Sequence, residues 1–369
     1  MLNKGALTAV SVLLAIQLHG QAPAPSGAPT TTNAAAGKSP TLTPAPPPTT
    51  EQVINSLGEA DLHAAISLLK SNFANPDAIT ETELNRATLT GLLIRIPGGL
   101  ILLPNRDATA PESGGPFYSE IFEGHIGYLR LGDLNGSNLK ELDKKLQEFT
   151  QKKVDAVIVD LRSSAGDLAN AAEFAKRFCP KGKNLFSVRK PATHQDKQFT
   201  TDRDPAFQGL VAVLADGDTS GGAEALAAAL KLYNKALIIG QSTAGRAVEY
   251  SDQALPSGKI LRVASAEAVL PDGQPLFPGG VKPDLPVEMS EVEKRQIFRL
   301  SSDKGMGQFV YETERPHLNE AALIAGTNPE LDIPDAQRRM KSRSAQSLRD
   351  SVLQRAIDIV TSLEIYQKH

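Results

Sequence analysis

The chain has 369 residues, 41% hydrophobic and 22% charged, a balance that suits a soluble protein of more than one structural unit. Lys and Arg number 39 against 42 Asp and Glu, and this net charge of −3 excludes nucleic-acid binding through bulk positive charge. A single cysteine, Cys179, excludes an internal disulfide framework, a cysteine-ligated zinc and an iron–sulfur cluster.

Lys4 is the only charged residue among the first 22, and a thirteen-residue, mostly apolar run follows from Ala6 to Leu18. A membrane span requires about 20 residues, so this run fits the apolar centre of a secretory signal instead. Residues 1–22 are expected to be a signal peptide; Gly20-Gln21-Ala22 fits a small-x-small cleavage site but Pro23 follows it directly, and an uncleaved amphipathic or anchoring N-terminus is the alternative reading. Residues 23–50 hold eight Pro, seven Thr and six Ala, with Lys38 as their one charge. Such a segment cannot bury enough apolar surface to offset its ordering entropy, and it reads as a disordered spacer. Together these features predict an exported protein, periplasmic or extracellular.

Residues 51–117 read as a helical region. Val53, Leu57, Leu62, Ile66 and Leu69 recur at helical intervals, and Thr80 with Glu83 starts a further helix that ends near Pro97-Gly98-Gly99. From residue 118 to 290 the texture changes. Short apolar runs (Ile126–Leu131, Val157–Leu161, Leu210–Ala215, Ala236–Gly240) alternate with the helical stretches Leu168–Phe178 and Ala223–Leu232. Continuous apolar runs predict strands buried on both faces, and their alternation with helices predicts βα crossovers. Residues 291–369 are charged and helical again, with Leu348, Val352, Leu353, Ala356, Ile357, Val360 and Leu363 on one apolar stripe. The expected fold class is α/β, with helical segments on either side of the core.

Two turns could carry chemistry. The first, Arg162-Ser163-Ser164-Ala165-Gly166-Asp167, follows a buried strand and would aim backbone N–H groups at a developing oxyanion. An ordinary βα turn with a polar cap is the simpler reading. The second, Asp216 to Glu224, has the strand–glycine turn–helix form of a nucleophile elbow, which would hold Ser220 at a helix N-terminus. Ser220 as a plain helix cap is the simpler reading.

Taken together, five pieces resemble the tail-specific or C-terminal-processing serine peptidase family, whose core has the ClpP/crotonase-like architecture. They are Gly127–Leu131, Val159–Arg162, Thr219–Glu224, Ile239–Arg246, and Leu270–Gly273 leading to Gly280–Asp284. Residues 99–122 are too few for the PDZ module that many members insert. The resemblance implies a serine nucleophile in the elbow, a neutral lysine as its base, and backbone donors around Gly166 and Gly221 as the oxyanion hole. Counting forward from the elbow puts the nucleophile at Ser220; counting back from Tyr233 and Gly240 puts its slot at Gly221. The lysine position is Arg246, whose guanidinium has no lone pair to accept a proton.

Substitute bases are few. Lys231 and Lys235 read as helix-surface lysines, His125 as a structural histidine, and Glu249 as an ion-pair partner for Arg246. A carboxylate at Asp167 would oppose an oxyanion if it pointed inward, and Cys179 reads as a buried, inert thiol. Two functions stay open: an exported serine peptidase working through Ser220, or a non-catalytic relative that binds polypeptide tails in the same groove with Arg246 as a carboxylate anchor. Neither implies a metal, a cofactor or a nucleic-acid partner.

Overall fold

The computed structural model describes residues 49–75, 78–104, 115–310 and 348–368. The expected signal peptide and nearly all of the spacer lie outside the described residues. The chain divides into two compact units, Met1–Pro76 and Asp77–His369.

In the first unit, α1 (Thr50–Ser56) and α2 (Glu59–Asn72) replace what the apolar spacing suggests as one run. The break falls at Leu57-Gly58, where Leu57 is extended and Gly58 caps the next helix. Thr49 and Gln52 close a reciprocal capping box at the start of α1.

The second unit opens with α3 (Glu81–Arg95), whose first turn is capped by Thr80 through the Glu83 N–H at 3.2 Å. After it come β1 (Leu100–Leu103), β2 (Tyr118–Phe122), β3 (Ile126–Arg130), α4 (Gly136–Gln151), β4 (Ala156–Asp160) and α5 (Leu168–Ala175). Next are β5 (Asn184–Arg189), β6 (Lys197–Thr200), β7 (Leu210–Ala215), α6 (Gly222–Asn234) and β8 (Leu237–Gly240). The chain closes with β9 (Val248–Ala254), β10 (Ile260–Val269), β11 (Leu285–Pro286), α7 (Glu291–Lys304) and a last helix, α8 (Ser351–Lys368).

One sheet has six strands in the order β11-β8-β7-β4-β3-β2, parallel except for the edge strand β2. Its register aligns Leu129, Val159, Val213 and Ile238 in a row, and this row packs against the side chains of α4, α5 and α6. Tyr128, Ile158, Leu214 and Ile239 point the other way and meet α7 and α8. Both faces are covered, which is why these strands are legible as mostly apolar runs, with Arg130 and Asp160 at the ends of β3 and β4. The second sheet is antiparallel, β1-β10-β5-β6, with β9 on the other side of β10. It is mixed α/β architecture, as expected, but β1 falls inside the stretch that reads as helical.

Candidate active site

The site forms where the parallel strands end. β7 stops at Ala215, the chain turns through Asp216–Ser220, and Gly221 starts α6 with φ 60° and ψ −125°. Only glycine adopts that backbone without strain, so residue 221 is fixed by conformation as well as by space. The carboxylate of Glu224, three residues on, reaches back to the Gly221 N–H at 3.1 Å. It also accepts from the Thr243 hydroxyl, from Gly245 N–H at 2.6 Å and from Arg246 N–H at 2.6 Å. One buried side chain thus ties the helix start to the Thr243–Arg246 segment. Burial pushes the Glu224 carboxyl above its ordinary value, against those donors.

The loop after β4 closes onto this turn. Ser220 N–H donates to Ser164 C=O at 3.0 Å, and Gly222 N–H donates to Gly166 C=O at 2.7 Å. Thr219 Oγ1 donates to Leu161 C=O at 2.8 Å. A Cβ on Gly221 would stand 2.8 Å from the Gly166 oxygen, and one on Gly222 would collide with the Asp167 carbonyl. The Gly221-Gly222 pair is therefore what allows the two loops to approach so closely. The N–H groups of Gly221 and Gly222, the donors nearest the helix start, are both engaged within the protein.

Arg246 passes beside this point with its main chain, its carbonyl 4.0 Å from where a Gly221 side chain would begin. Its side chain runs instead along Gly98, where a Cβ would come within 2.8 Å of Arg246 Cγ. Tyr250 holds that glycine by donating to its carbonyl at 2.8 Å. The guanidinium is exposed and forms no ion pair among the described residues. Ser220 is half-buried, and its hydroxyl forms no hydrogen bond to Arg246 or to any other described residue.

The remaining candidates are drawn into structural work. Glu249 pairs with Lys190 at 2.8 Å rather than with Arg246, because β9 carries it toward the end of β5. Asp167 caps α5, accepting from Asn170 N–H at 2.6 Å and Asn170 Nδ2 at 2.9 Å, so its carboxylate faces its own helix. His125 sits at the opposite end of the sheet, before β3, where Nε2 meets Glu364 at 3.0 Å. Lys231 pairs with Asp284 at 2.6 Å, and Lys235 ends α6 in a left-handed conformation. Cys179 is buried, and desolvation pushes its thiol up to about 12. Among the described residues, no group of three His, Cys, Asp or Glu side chains is arranged to hold a metal ion.

Sequence reasoning missed the role of Glu224, whose partners Thr243, Gly245 and Arg246 lie about twenty residues further along the chain. It also missed Asp216, which accepts from Ser163 N–H at 3.1 Å and from Thr219 N–H at 3.0 Å. Nothing in the local pattern pairs Asp216 with Lys294, 78 residues away.

Residues 125–287 match the family described as Peptidase family S41. The carboxy-terminal processing protease CtpA of Bacillus subtilis is 24% identical over 259 residues, 69% of this chain and 52% of that protein. The carboxyl-terminal-processing protease of Synechocystis is 27% identical over 173 residues, 47% of this chain and 40% of its own. The chain thus spans about half or less of the curated relatives it matches. Among solved structures, a photosystem II D1 C-terminal processing protease aligns over 51% of this chain and 47% of its own, at 21% identity and a TM-score of 0.40. A lipoprotein from Streptococcus agalactiae aligns over 67% and 90%, at 15% identity and a TM-score of 0.43. Over its βα core, residues 125–287, the chain is thus similar to peptidase family S41.

Proposed function

We propose that this chain is an exported S41 relative that no longer hydrolyses peptide bonds and instead binds polypeptide. One observation carries the reading: the helix-start residue is Gly221, and the Gly166 carbonyl oxygen fills the space its side chain would enter. Hydrolysis by a serine needs a hydroxyl at an open turn, a base to take its proton, and free donors for the oxyanion. Here the Gly221 and Gly222 N–H donors are already bonded, Ser220 has no hydrogen-bonded base among the described residues, and Arg246 cannot accept a proton.

What remains suits binding. Arg246 is an exposed cation without an ion partner among the described residues, and its planar fork matches a carboxylate. Val248, two residues on, lines a hollow of about 570 Å³ with Val263, Ala266 and Phe277. A polypeptide with a free C-terminal carboxylate is the ligand class these groups favour. The apolar run from Ala6 to Leu18 supports export.

Purified protein is expected neither to label with a fluorophosphonate nor to cleave an unfolded polypeptide. Labelling that disappears in Ser220→Ala would overturn the loss of catalysis. A peptide acid should bind about tenfold more tightly than its amide, the scale of one charge-assisted hydrogen bond, and Arg246→Gln should erase the difference. Equal affinities would remove Arg246 as the anchor. Removing residues 1–22 should keep the protein in the cytoplasm of an expressing cell; export without them would refute the signal.

A further inference from the structure

We propose that α7 and α8 form a clasp on the two site loops, and that Lys294 and Asp350 are the positioning residues that keep those loops closed. The two contacts are both buried ion pairs at loop roots. Lys294 Nζ bonds Asp216 Oδ2 and reaches Asp218 Oδ2 at 2.7 Å. Asp350 meets Arg162 through two parallel bonds, Nη1 to Oδ1 and Nη2 to Oδ2, each 2.8 Å.

Asp216 and Arg162 are where each loop begins. Asp216 Oδ1 accepts from Ser163 N–H in the first loop, and from Asp218 N–H and Thr219 N–H in the second. A single carboxylate held by Lys294 therefore bonds both loops at once. Arg162 is fixed on its other side by Asp160, which also accepts from Tyr128 at 2.7 Å. Beyond these roots the loops bond each other, Ser220 to Ser164 and Gly222 to Gly166.

The placement of Lys294 argues against a merely adhesive role. It lies in the first turn of α7, where the helix dipole disfavours a cation. Buried ion pairs are also poor sources of net stability, since apolar residues of similar volume often serve as well. What such pairs provide is one defined geometry, and here that geometry closes the Gly166 carbonyl onto the Gly222 N–H. The C-terminal layer thus sets whether the helix start of α6 is open or filled. The clasp does not depend on what the site binds, so its tests and those of the proposed function fail separately.

Amide hydrogen exchange on the full chain tests it. In the wild type, Ser220 and Gly222 should open together with Leu353 and Gln354 of α8, as one cooperative unit. In Lys294→Met, Ser163, Ser220 and Gly222 should exchange about tenfold faster while Leu146 and Phe149 of α4 keep their rates. Unchanged loop amides, or equal acceleration in α4, would overturn the clasp. Should Lys294→Met fail to fold, the wild-type measurement decides alone: loop amides that exchange independently of α8 refute it.

Discussion

The two faces of the parallel sheet are covered by different chemistry. On one, α6 buries every residue from Gly222 to Leu230, mostly alanines, and the contact is a matter of close approach and shape. On the other, Ile297, Val352, Leu353, Ala356, Ile357 and Val360 make an apolar layer that also encloses charge. Asp160, Arg162, Asp216, Lys294 and Asp350 are all buried there. Arg130 joins them, its guanidinium 4.4 Å from the Phe298 ring centre and 5.0 Å from that of Tyr118. Apolar burial decides that both layers pack; on the second face buried ion pairs also tie α7 and the start of α8 to the loops.

Cutting one ion pair should therefore cost more than crowding the apolar face. Asp350→Ala leaves Arg162 buried with Asp160 alone and removes the acceptor for the Leu353 N–H. Breaking one side of a buried pair typically costs about 3–5 kcal/mol, and urea denaturation should show a loss of that size. Ala227→Leu forces a larger side chain between α6 and its neighbours, at a cost of about 1–3 kcal/mol. The reverse order of the two would mean that the charged face merely tolerates its ions.

Acid offers a gentler probe of the same contrast. The Lys294 ammonium and the Ser163 N–H hold the Asp216 carboxyl below its ordinary value, although burial alone would raise it. A carboxyl lowered on folding adds stability that is complete above its unfolded value of about 3.9 and is lost as pH falls through the lower folded value. Stability should thus decline below about pH 4, with a shallower slope in Asp216→Asn than in the wild type. Identical slopes would place the acid sensitivity on other carboxylates.

What the sequence made legible follows the same division. Val157–Leu161 and Leu210–Ala215 are readable as strands because both of their faces are buried and their residues are apolar apart from Asp160. β9 and β10 are not, because their residues are mostly exposed or half-buried and the pattern Ser251-Asp252-Gln253 carries no apolar rhythm. β1 was hidden by the opposite fault, four apolar residues directly after a helical run. At the site, the glycines and Arg246 stand out in the chain, but the direction in which Asp167 turns and the reach of Lys294 are set by tertiary contacts. Whether Ser220 or Gly221 holds the helix start depends on a single residue of register, and a backbone angle separates them where spacing does not.

The smallest effect expected is the most pointed. Gly221→Ser combined with Arg246→Lys would supply a hydroxyl and a potential base at the two positions that the proposed reading assigns to the family's nucleophile and base. Restored peptidase activity is nevertheless not expected, because the obstruction is main chain rather than side chain. The new Cβ would meet the Gly166 oxygen at 2.8 Å in a backbone conformation that disfavours any side chain, and the Gly222 N–H would still be bonded to that same oxygen. The introduced lysine would also need burial to bring its pKa down, whereas the side chain at 246 now lies exposed along Gly98. A fluorophosphonate assay on the double variant checks this. Labelling at residue 221 would mean that the Ser163–Asp167 loop yields readily, and that two side chains alone separate this chain from a working serine site.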